Sequence, residues 1–289
     1  MRCYYHSSDY DGKCSGAIVQ RKYPNCDLIP INYGDKFNHK EVQENETVFI
    51  VDFSIPDEDL IQLCQGHKVI WIDHHDSVIN KHESSDGKDV YNNNLITVLD
   101  NTNQFAATEL VWTTLFPNEK IPYGVKLIAD YDMWIHTNIH TVYLDYGLNL
   151  RDIKATDVEF WKLIFEEDHE TMKFLLSNGQ IINAFQEQRH HSMRKRFAFV
   201  TEFEGHTALA INAPGEKSKI LEPMFNPKFQ EFMIVFGRNG KYESWTVSLY
   251  GGKDCKVHLG DLATKYGGGG RQGTASFQLS GGQDLPFKH

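Results

Sequence analysis

The chain has 289 residues, of which 40% are hydrophobic, 12% aromatic and 24% charged. This balance is typical of globular proteins and excludes a largely disordered or fibrous chain, while the length predicts two domains, each with its own core. The 29 Lys and Arg residues against 39 Asp and Glu give a formal net charge of −10, which argues against tight binding to long nucleic-acid duplexes.

The five cysteines are scattered along the chain and form no C-x-x-C pair, so the sequence predicts reduced, buried thiols rather than a zinc or redox centre. The first residues are polar and do not form an apolar leader, and no stretch approaches the ~20 apolar residues of a membrane helix. We therefore expect a cytoplasmic protein with no membrane partner.

The first half of the chain alternates short apolar runs with helical patterns, which is typical of a parallel α/β sheet. Strands are predicted at residues 3–5, 28–31, 48–53, 69–72 and 95–99. Helices are predicted at 12–23, 56–64, 106–115 and 123–131. The stretch 84–94 is rich in Ser, Gly, Asp and Asn and is predicted to be a loop.

The second half begins with helix-forming residues over 158–196, with a predicted break at Ser177-Asn178-Gly179. Strands then follow at 197–203, 207–211, 232–236, 244–250 and 275–279, with helices at 217–224 and 259–266. We therefore expect an α/β domain over 1–157, a helical linker over 158–196 and a smaller α+β domain over 197–289.

Three of the predicted strands lead into carboxylates or histidines, at His6, Asp9, Asp11, Asp52, Asp73, His74 and His75. Taken singly, each is also explained as an ordinary turn or loop residue. That explanation does not account for three clusters at the same end of three strands. Because ligands of parallel sheets bind outside the carboxyl ends of the strands, we expect these groups to converge.

Carboxylates placed this close repel one another unless they are protonated or neutralised by a cation. Asp130 and Asp132 follow an apolar helix face, and either could reach the same edge. Imidazoles mixed with carboxylates, without a thiolate, suit Mn²⁺ or a similar ion better than structural zinc. Two such ions ~3.5–4 Å apart activate water for attack on phosphorus, so the sequence predicts hydrolysis of a phosphoester or phosphoanhydride.

The chain carries four motifs, His6-x-x-Asp9-x-Asp11-Gly12, Asp52, Asp73-His74-His75 and Asp130. In their order and residues they resemble the DHH phosphoesterase superfamily. That superfamily includes RecJ-type exonucleases, nanoRNase-type oligonucleotide phosphodiesterases, cyclic-dinucleotide phosphodiesterases and family II inorganic pyrophosphatases. The resemblance implies an N-terminal parallel-sheet DHH domain, joined by the helical linker to a smaller α+β DHH-associated domain.

The same resemblance implies metal ligands at His6, Asp9, Asp11, Asp52, His74 and Asp130. The first two would hold one ion, Asp52 would bridge, and the other three would hold a second ion. The implied cofactors are two divalent ions, Mn²⁺ with Mg²⁺ or Co²⁺ as alternatives. Asp73 would orient a histidine, and His75 would contact the scissile phosphate or assist proton transfer.

A glycine run lies near the end of the chain, at Gly267-Gly268-Gly269-Gly270-Arg271. A flexible linker is the alternative, but Tyr266 and a predicted strand flank the run. It resembles the Gly-Gly-Gly-His motif of the DHH-associated domain, with Arg271 in place of histidine, which implies that Gly268, Gly269, Gly270 and Arg271 bind substrate. Arg238 and Lys253 are further basic candidates for substrate binding, although a solvated surface charge is the favoured explanation for each.

Together these features predict a metal-dependent phosphodiesterase that cleaves short oligonucleotides or small nucleotide phosphodiesters to nucleoside monophosphates. An acidic chain lacks the surface to follow long strands, so a short single-stranded oligonucleotide or small nucleotide is the expected partner. The alternatives are a cyclic nucleotide or dinucleotide, a bisphosphorylated nucleotide, and a non-catalytic nucleotide-binding scaffold. The oligomeric state is left open.

Overall fold

The computed structural model describes residues 1–33, 35–38, 41–75, 93–100, 102, 104–252 and 255–288. The chain divides into two compact units, Met1–Asn183 and Ala184–His289. This division falls inside a long helix. The domain boundaries that the sequence predicts, after 157 and 196, remain predictions. Most of the predicted loop at 84–94, and Lys253, lie outside the described residues.

The first unit is built on a parallel five-stranded sheet in the order β2-β1-β3-β4-β5. Its strands are β1 (Arg2–His6), β2 (Asp27–Ile31), β3 (Thr47–Val51), β4 (Lys68–Asp73) and β5 (Leu95–Leu99). Each overlaps a predicted strand, and the predicted α/β class is confirmed. The parallel pairing brings the carboxyl ends of all five strands to one edge.

The helices that accompany this sheet are α1 (Tyr10–Lys22), α2 (Asp57–Cys64), α3 (Ala107–Leu115), α4 (Tyr123–Asp132), α5 (Ile139–Leu148), α6 (Val158–Phe165) and α7 (His169–Phe197). Along the chain, α1 and α2 lie between strands of this sheet, and five described helices follow β5, the last of which continues into the second unit. The sequence did not predict α5, which begins where the Asn138 side chain accepts a hydrogen bond from the His140 N–H at 3.0 Å.

The hydrophobic core explains why the sequences of the central strands are continuous apolar runs. Successive side chains of a strand point to opposite faces, so Cys3 and Tyr5 pack in one cluster and Tyr4 in another. The first cluster includes Trp112 of α3 and the second Leu63 of α2. Both faces of the sheet are therefore covered, as parallel sheets require, which leaves its carboxyl edge as the place for polar groups.

The second unit has a six-stranded sheet in the order β10-β11-β9-β8-β7-β6, in which β7 and β8 are parallel and the other pairs antiparallel. Its strands are β6 (Ala198–Phe203), β7 (His206–Asn212), β8 (Phe232–Asn239), β9 (Ser244–Gly251), β10 (Gly269–Gly270) and β11 (Thr274–Ser280), with helix α8 at Leu259–Thr264. This mixed sheet agrees with the predicted α+β class.

Two predicted helical features of this half of the chain are wrong. The helix predicted at 217–224 is a short 3-10 helix, Ser218–Ile220, because Pro223 disfavours a helical conformation at Glu222. The break predicted at Ser177-Asn178-Gly179 is absent, since α7 runs without interruption through it. Among the described residues, no helix combines the length and apolar character needed to cross a membrane.

Candidate metal centre

The loop from β1 to α1 places the first two predicted ligands. His6 is the last residue of β1, and Asp9 caps α1, with its Oδ1 accepting a hydrogen bond from the Gly12 N–H at 3.0 Å. His6 Nδ1 lies 2.7 Å from Asp9 Oδ2. A Cβ at Gly12 would collide with the His6 carbonyl oxygen, so glycine allows the helix to begin this close to the strand.

Asp52 lies at the centre of the group and has an unusual backbone. It follows β3 in a left-handed conformation, with φ of 53°, and its N–H donates to the Ile72 carbonyl at 3.0 Å. The side chain is buried, with one oxygen 3.5 Å from His6 Nδ1 and the other 3.4 Å from His74 Nε2. Within the described part of the chain, neither carboxylate oxygen has a hydrogen-bond partner.

The Asp73-His74-His75 segment ends β4. Asp73 Oδ1 accepts the His74 backbone N–H at 2.8 Å and lies 2.7 Å from His75 Nδ1. This contact assigns the proton to Nδ1 and leaves Nε2 as the ring atom that can act on a ligand. Burial works against the charge of Asp73, but the hydrogen bond from His75 outweighs it and holds the pKa of Asp73 below its ordinary value.

A second set of groups meets at His74. Its Nε2 lies 3.3 Å from Asp132 Oδ2 and 3.7 Å from Asp11 Oδ2. The Asp11 carboxylate is fully buried and accepts the backbone N–H groups of Ala107 and Thr108, at 3.0 and 2.9 Å, at the start of α3. The helix α3 terminus thereby fixes the orientation of Asp11.

Of the two acidic residues near the end of α4, Asp132 is the one that lies beside His74. Residues two apart in a helix point to nearly opposite sides, roughly 200° apart. Asp132 approaches His74, whereas Asp130 accepts a hydrogen bond from the Thr141 hydroxyl of α5. Asp132, the other option that the sequence left open, therefore lies in a ligand group. The Asp130 ligand that the resemblance implied stays a prediction, which this geometry does not favour.

These residues form three overlapping groups in which the ligand atoms lie within 4.8 Å of one another. They are His6-Asp9-Asp52, Asp52-His74-His75 and Asp11-His74-Asp132. Burial raises the pKa of Asp52 to about 8 and raises that of Asp11 well above its ordinary value, and neighbouring carboxylates add to both shifts. Across the described residues, both ring nitrogens of His74 also lack a hydrogen bond. Buried carboxylates and imidazoles without hydrogen bonds fit divalent cations of the Mn²⁺ type.

The predicted substrate-binding residues lie in the second unit, and the structure does not bring them all together. Gly269 and Gly270 form β10, which pairs with β11, while the side chain of Arg271 is exposed. A Cβ at Gly270 would collide with the backbone of β11, and one at Gly268 likewise. These two glycines are therefore needed for packing within the sheet, whatever they bind.

Arg238 lies at a different end of the same sheet. It pairs with Trp245, whereas the β11 residue opposite Gly270 pairs with Leu249. Four residues of strand separate the two positions, which is roughly 13 Å along the strand direction. Arg238 and the glycine run are therefore not parts of one compact group.

Tyr33, which comes two residues after β2, lies at the candidate metal centre although the sequence motifs do not include it. Its ring contacts the rings of Phe53, His6 and His75, with centroids 4.8, 5.6 and 6.2 Å away. The available signal was its position, since it follows the carboxyl end of a predicted parallel strand, as the ligands do.

No protein-family model and no curated protein matches this chain by sequence. The fold is similar to that of the pGpG-specific phosphodiesterase PggH from Vibrio cholerae, at 14% identity over 96% of this chain and 93% of that one, with a TM-score of 0.58. The DHH domain of a protein described as a member of a ribosomal-protein family aligns over 97% of this chain and 83% of its own, at 13% identity and a TM-score of 0.63. CDC45 from Entamoeba histolytica aligns over 97% and 92%, at 8% identity and a TM-score of 0.50. At such identities the likeness concerns the fold.

Proposed function

We propose that this chain, which has the fold of the DHH superfamily, is a metal-dependent phosphodiesterase. Its substrates would be short oligonucleotides or small nucleotide phosphodiesters, cleaved to nucleoside monophosphates. The observation that carries the proposal is Asp52, a buried carboxylate shared by two groups of ligands, with both oxygens lacking a hydrogen bond within the described residues.

The ligand groups support two ions, for which we propose Mn²⁺, with Mg²⁺ or Co²⁺ as alternatives. His6, Asp9 and Asp52 would hold one ion, and Asp11, His74 and Asp132 the other, with Asp52 shared. When bound, such ions lower the pKa of a coordinated water and neutralise charge on the phosphate.

Asp73 and His75, the remaining groups of the cluster, would act on the substrate beside the ions. Asp73 holds Nδ1 of His75 and thereby fixes the ring orientation. His75 Nε2 would then contact a phosphate or leaving-group oxygen and assist proton transfer, a common catalytic role of histidine.

Two observations support a small nucleotide substrate. The net charge of −10 opposes binding of long polyanions except at a local site. PggH, which has a similar fold, is a phosphodiesterase specific for the dinucleotide pGpG. We further propose that Gly268, Gly269, Gly270 and Arg271 contact the nucleotide portion, with Arg238 as a separate basic contact.

The test is hydrolysis of 5′-phosphorylated dinucleotides by protein that has been stripped of metal and then supplied with Mn²⁺. We expect release of nucleoside monophosphates, and a fall in kcat of at least ~100-fold in Asp52→Asn, since metal-derived charge stabilisation contributes several kcal/mol. Glu170→Gln, at an exposed position of α7, is the matched control and should keep full activity. The proposal fails if no dinucleotide is cleaved with Mn²⁺, Mg²⁺ or Co²⁺, or if Asp52→Asn is fully active.

A further inference from the structure

Tyr33 combines exposure with direct contact to the metal centre. The residue is 56% exposed, yet its ring meets His6 edge-on at 63° and His75 at 77°. Behind it lies the buried ring of Phe53, at a centroid distance of 4.8 Å. The tyrosine ring thus contacts the site, while more than half of the residue is exposed.

Hydrogen bonds of the neighbouring Asn32 fix the position of Tyr33. The hydroxyls of Ser7 and Ser8 donate to Asn32 Oδ1 at 3.1 and 2.7 Å. The Asn32 N–H donates a hydrogen bond to Asp35 Oδ2 at 2.8 Å, and the Asp35 N–H donates one to the Asn32 carbonyl at 3.0 Å. Since Ser7 and Ser8 belong to the loop between His6 and Asp9, the ring of Tyr33 keeps its place relative to those ligands.

The three ligand groups consist of carboxylates and imidazoles, and Tyr33 adds an aromatic ring beside them. Burial would be the favourable fate of so large an apolar surface, yet this residue is exposed. An exposed ring beside a phosphate-binding centre is the feature that proteins use to stack nucleobases.

We propose that Tyr33 is the stacking site for a nucleobase of the substrate, on the nucleotide attached to the phosphate at the metal centre. The inference rests on the proposed function and adds a specificity element to it. A phosphate bound at the ions and at His75 would have its attached nucleoside beside the Tyr33 ring, which contacts both His6 and His75. Because every base has a π-face, stacking here selects for nucleotides over other phosphodiesters without selecting one base.

The test compares Tyr33→Ala and Tyr33→Phe on a 5′-phosphorylated dinucleotide and on two analogues in which one or the other nucleotide is abasic. Loss of stacking should raise KM for the dinucleotide by ~10-fold in Tyr33→Ala, and Tyr33→Phe should stay near the wild type. On the analogue that lacks the stacked base, the wild type should show a similar rise in KM, and Tyr33→Ala should add nothing to it. Phe174→Ala, another exposed aromatic side chain of the first unit, is the control.

Binding measurements separate this inference from the proposed activity. By calorimetry, Tyr33→Ala should weaken binding of a nucleoside monophosphate but not of ribose 5-phosphate, and its affinity for Mn²⁺ should be unchanged. Equal losses on the intact and both abasic substrates, weaker Mn²⁺ binding, or an unchanged KM would each overturn the stacking site. Wild-type protein that cleaves no substrate, yet discriminates the two monophosphates through Tyr33, would refute the activity alone.

Discussion

At the scale of single residues, the left-handed backbone of Asp52 fits its place in the cluster. Aspartate is among the few residues other than glycine that are enriched in this conformation. The Asp52 N–H donates a hydrogen bond to the Ile72 carbonyl, so this backbone group is paired. The carboxylate is thereby directed between His6 and His74. Functional sites often contain residues in backbone conformations that cost energy, and the left-handed conformation of Asp52 is of this kind.

Asp130 and Asp132 offer a direct test of the ligand assignment. Loss of a residue that only supports a metal ligand lowers metal affinity by roughly 10–100-fold. We expect Asp132→Asn, which would alter a ligand itself, to weaken Mn²⁺ binding by at least as much. Asp130→Asn should leave Mn²⁺ affinity unchanged, because the amide oxygen can still accept from Thr141. Isothermal titration with Mn²⁺ measures both variants, and the reverse ranking would restore Asp130 as the ligand.

At the scale of secondary-structure elements, glycines allow close approaches in the first unit, and Gly12 and Gly179 are two examples. Gly12 lets α1 begin against His6, as described above. Gly179 lies within α7, where a Cβ would collide with the Tyr143 carbonyl of α5. Gly179 therefore serves the close contact between α7 and α5 rather than a helix break, although glycine by itself lowers helix propensity.

Gly12→Ala should move the start of α1 away from β1, because the new Cβ would also lie 2.7 Å from the His6 Cβ. We expect the free energy of unfolding to fall by about 1–3 kcal/mol or more, together with weaker Mn²⁺ binding. Gly66→Ala is the matched control, since its Cβ would meet no described atom within 4 Å. Chemical denaturation of both variants provides the measurement, and equal stabilities would show that the approach of α1 is unimportant.

At the scale of the whole molecule, the cluster links folding to pH and to cations. Burial raises the pKa of Asp52 from 3.8 to about 8. Burial lowers the pKa of His6, but the adjacent Asp52 and Asp9 carboxylates outweigh it and raise the value from 6.5 to about 10. The folded protein therefore retains protons that the unfolded chain releases, so these contributions to stability are complete at low pH and are lost as pH rises toward the raised values.

In EDTA we expect the free energy of unfolding to fall between about pH 5 and about pH 8, by roughly 1.4 kcal/mol per pH unit for each retained proton. Divalent ions bind the deprotonated ligands, so their stabilising effect grows with pH. The difference in Tm between samples with Mn²⁺ and with EDTA should consequently widen over this range. Asp52→Asn should lose much of the slope in EDTA, and a Tm difference independent of pH would contradict the linkage.

The sequence was sufficient to predict the parallel strands and the polar residues at their carboxyl ends. Apolar runs and the turns that end them are local patterns, so they report which residues leave a strand, as with Asp52 after β3 and His74 after β4. Parallel pairing then requires those ends to share an edge. The convergence of His6, Asp9 and Asp52 in one group is the structural outcome of that local information.

The tertiary structure decided which side chains actually meet. The contact between Asp130 and Thr141 depends on how α4 and α5 pack, and the register of β8, β9, β10 and β11 separates Arg238 from the glycine run. Tyr33 reaches the metal centre because Asn32 is bound to the loop after β1. Such contacts join residues far apart in the chain, and no periodic pattern within one segment contains the orientation of another segment packed against it.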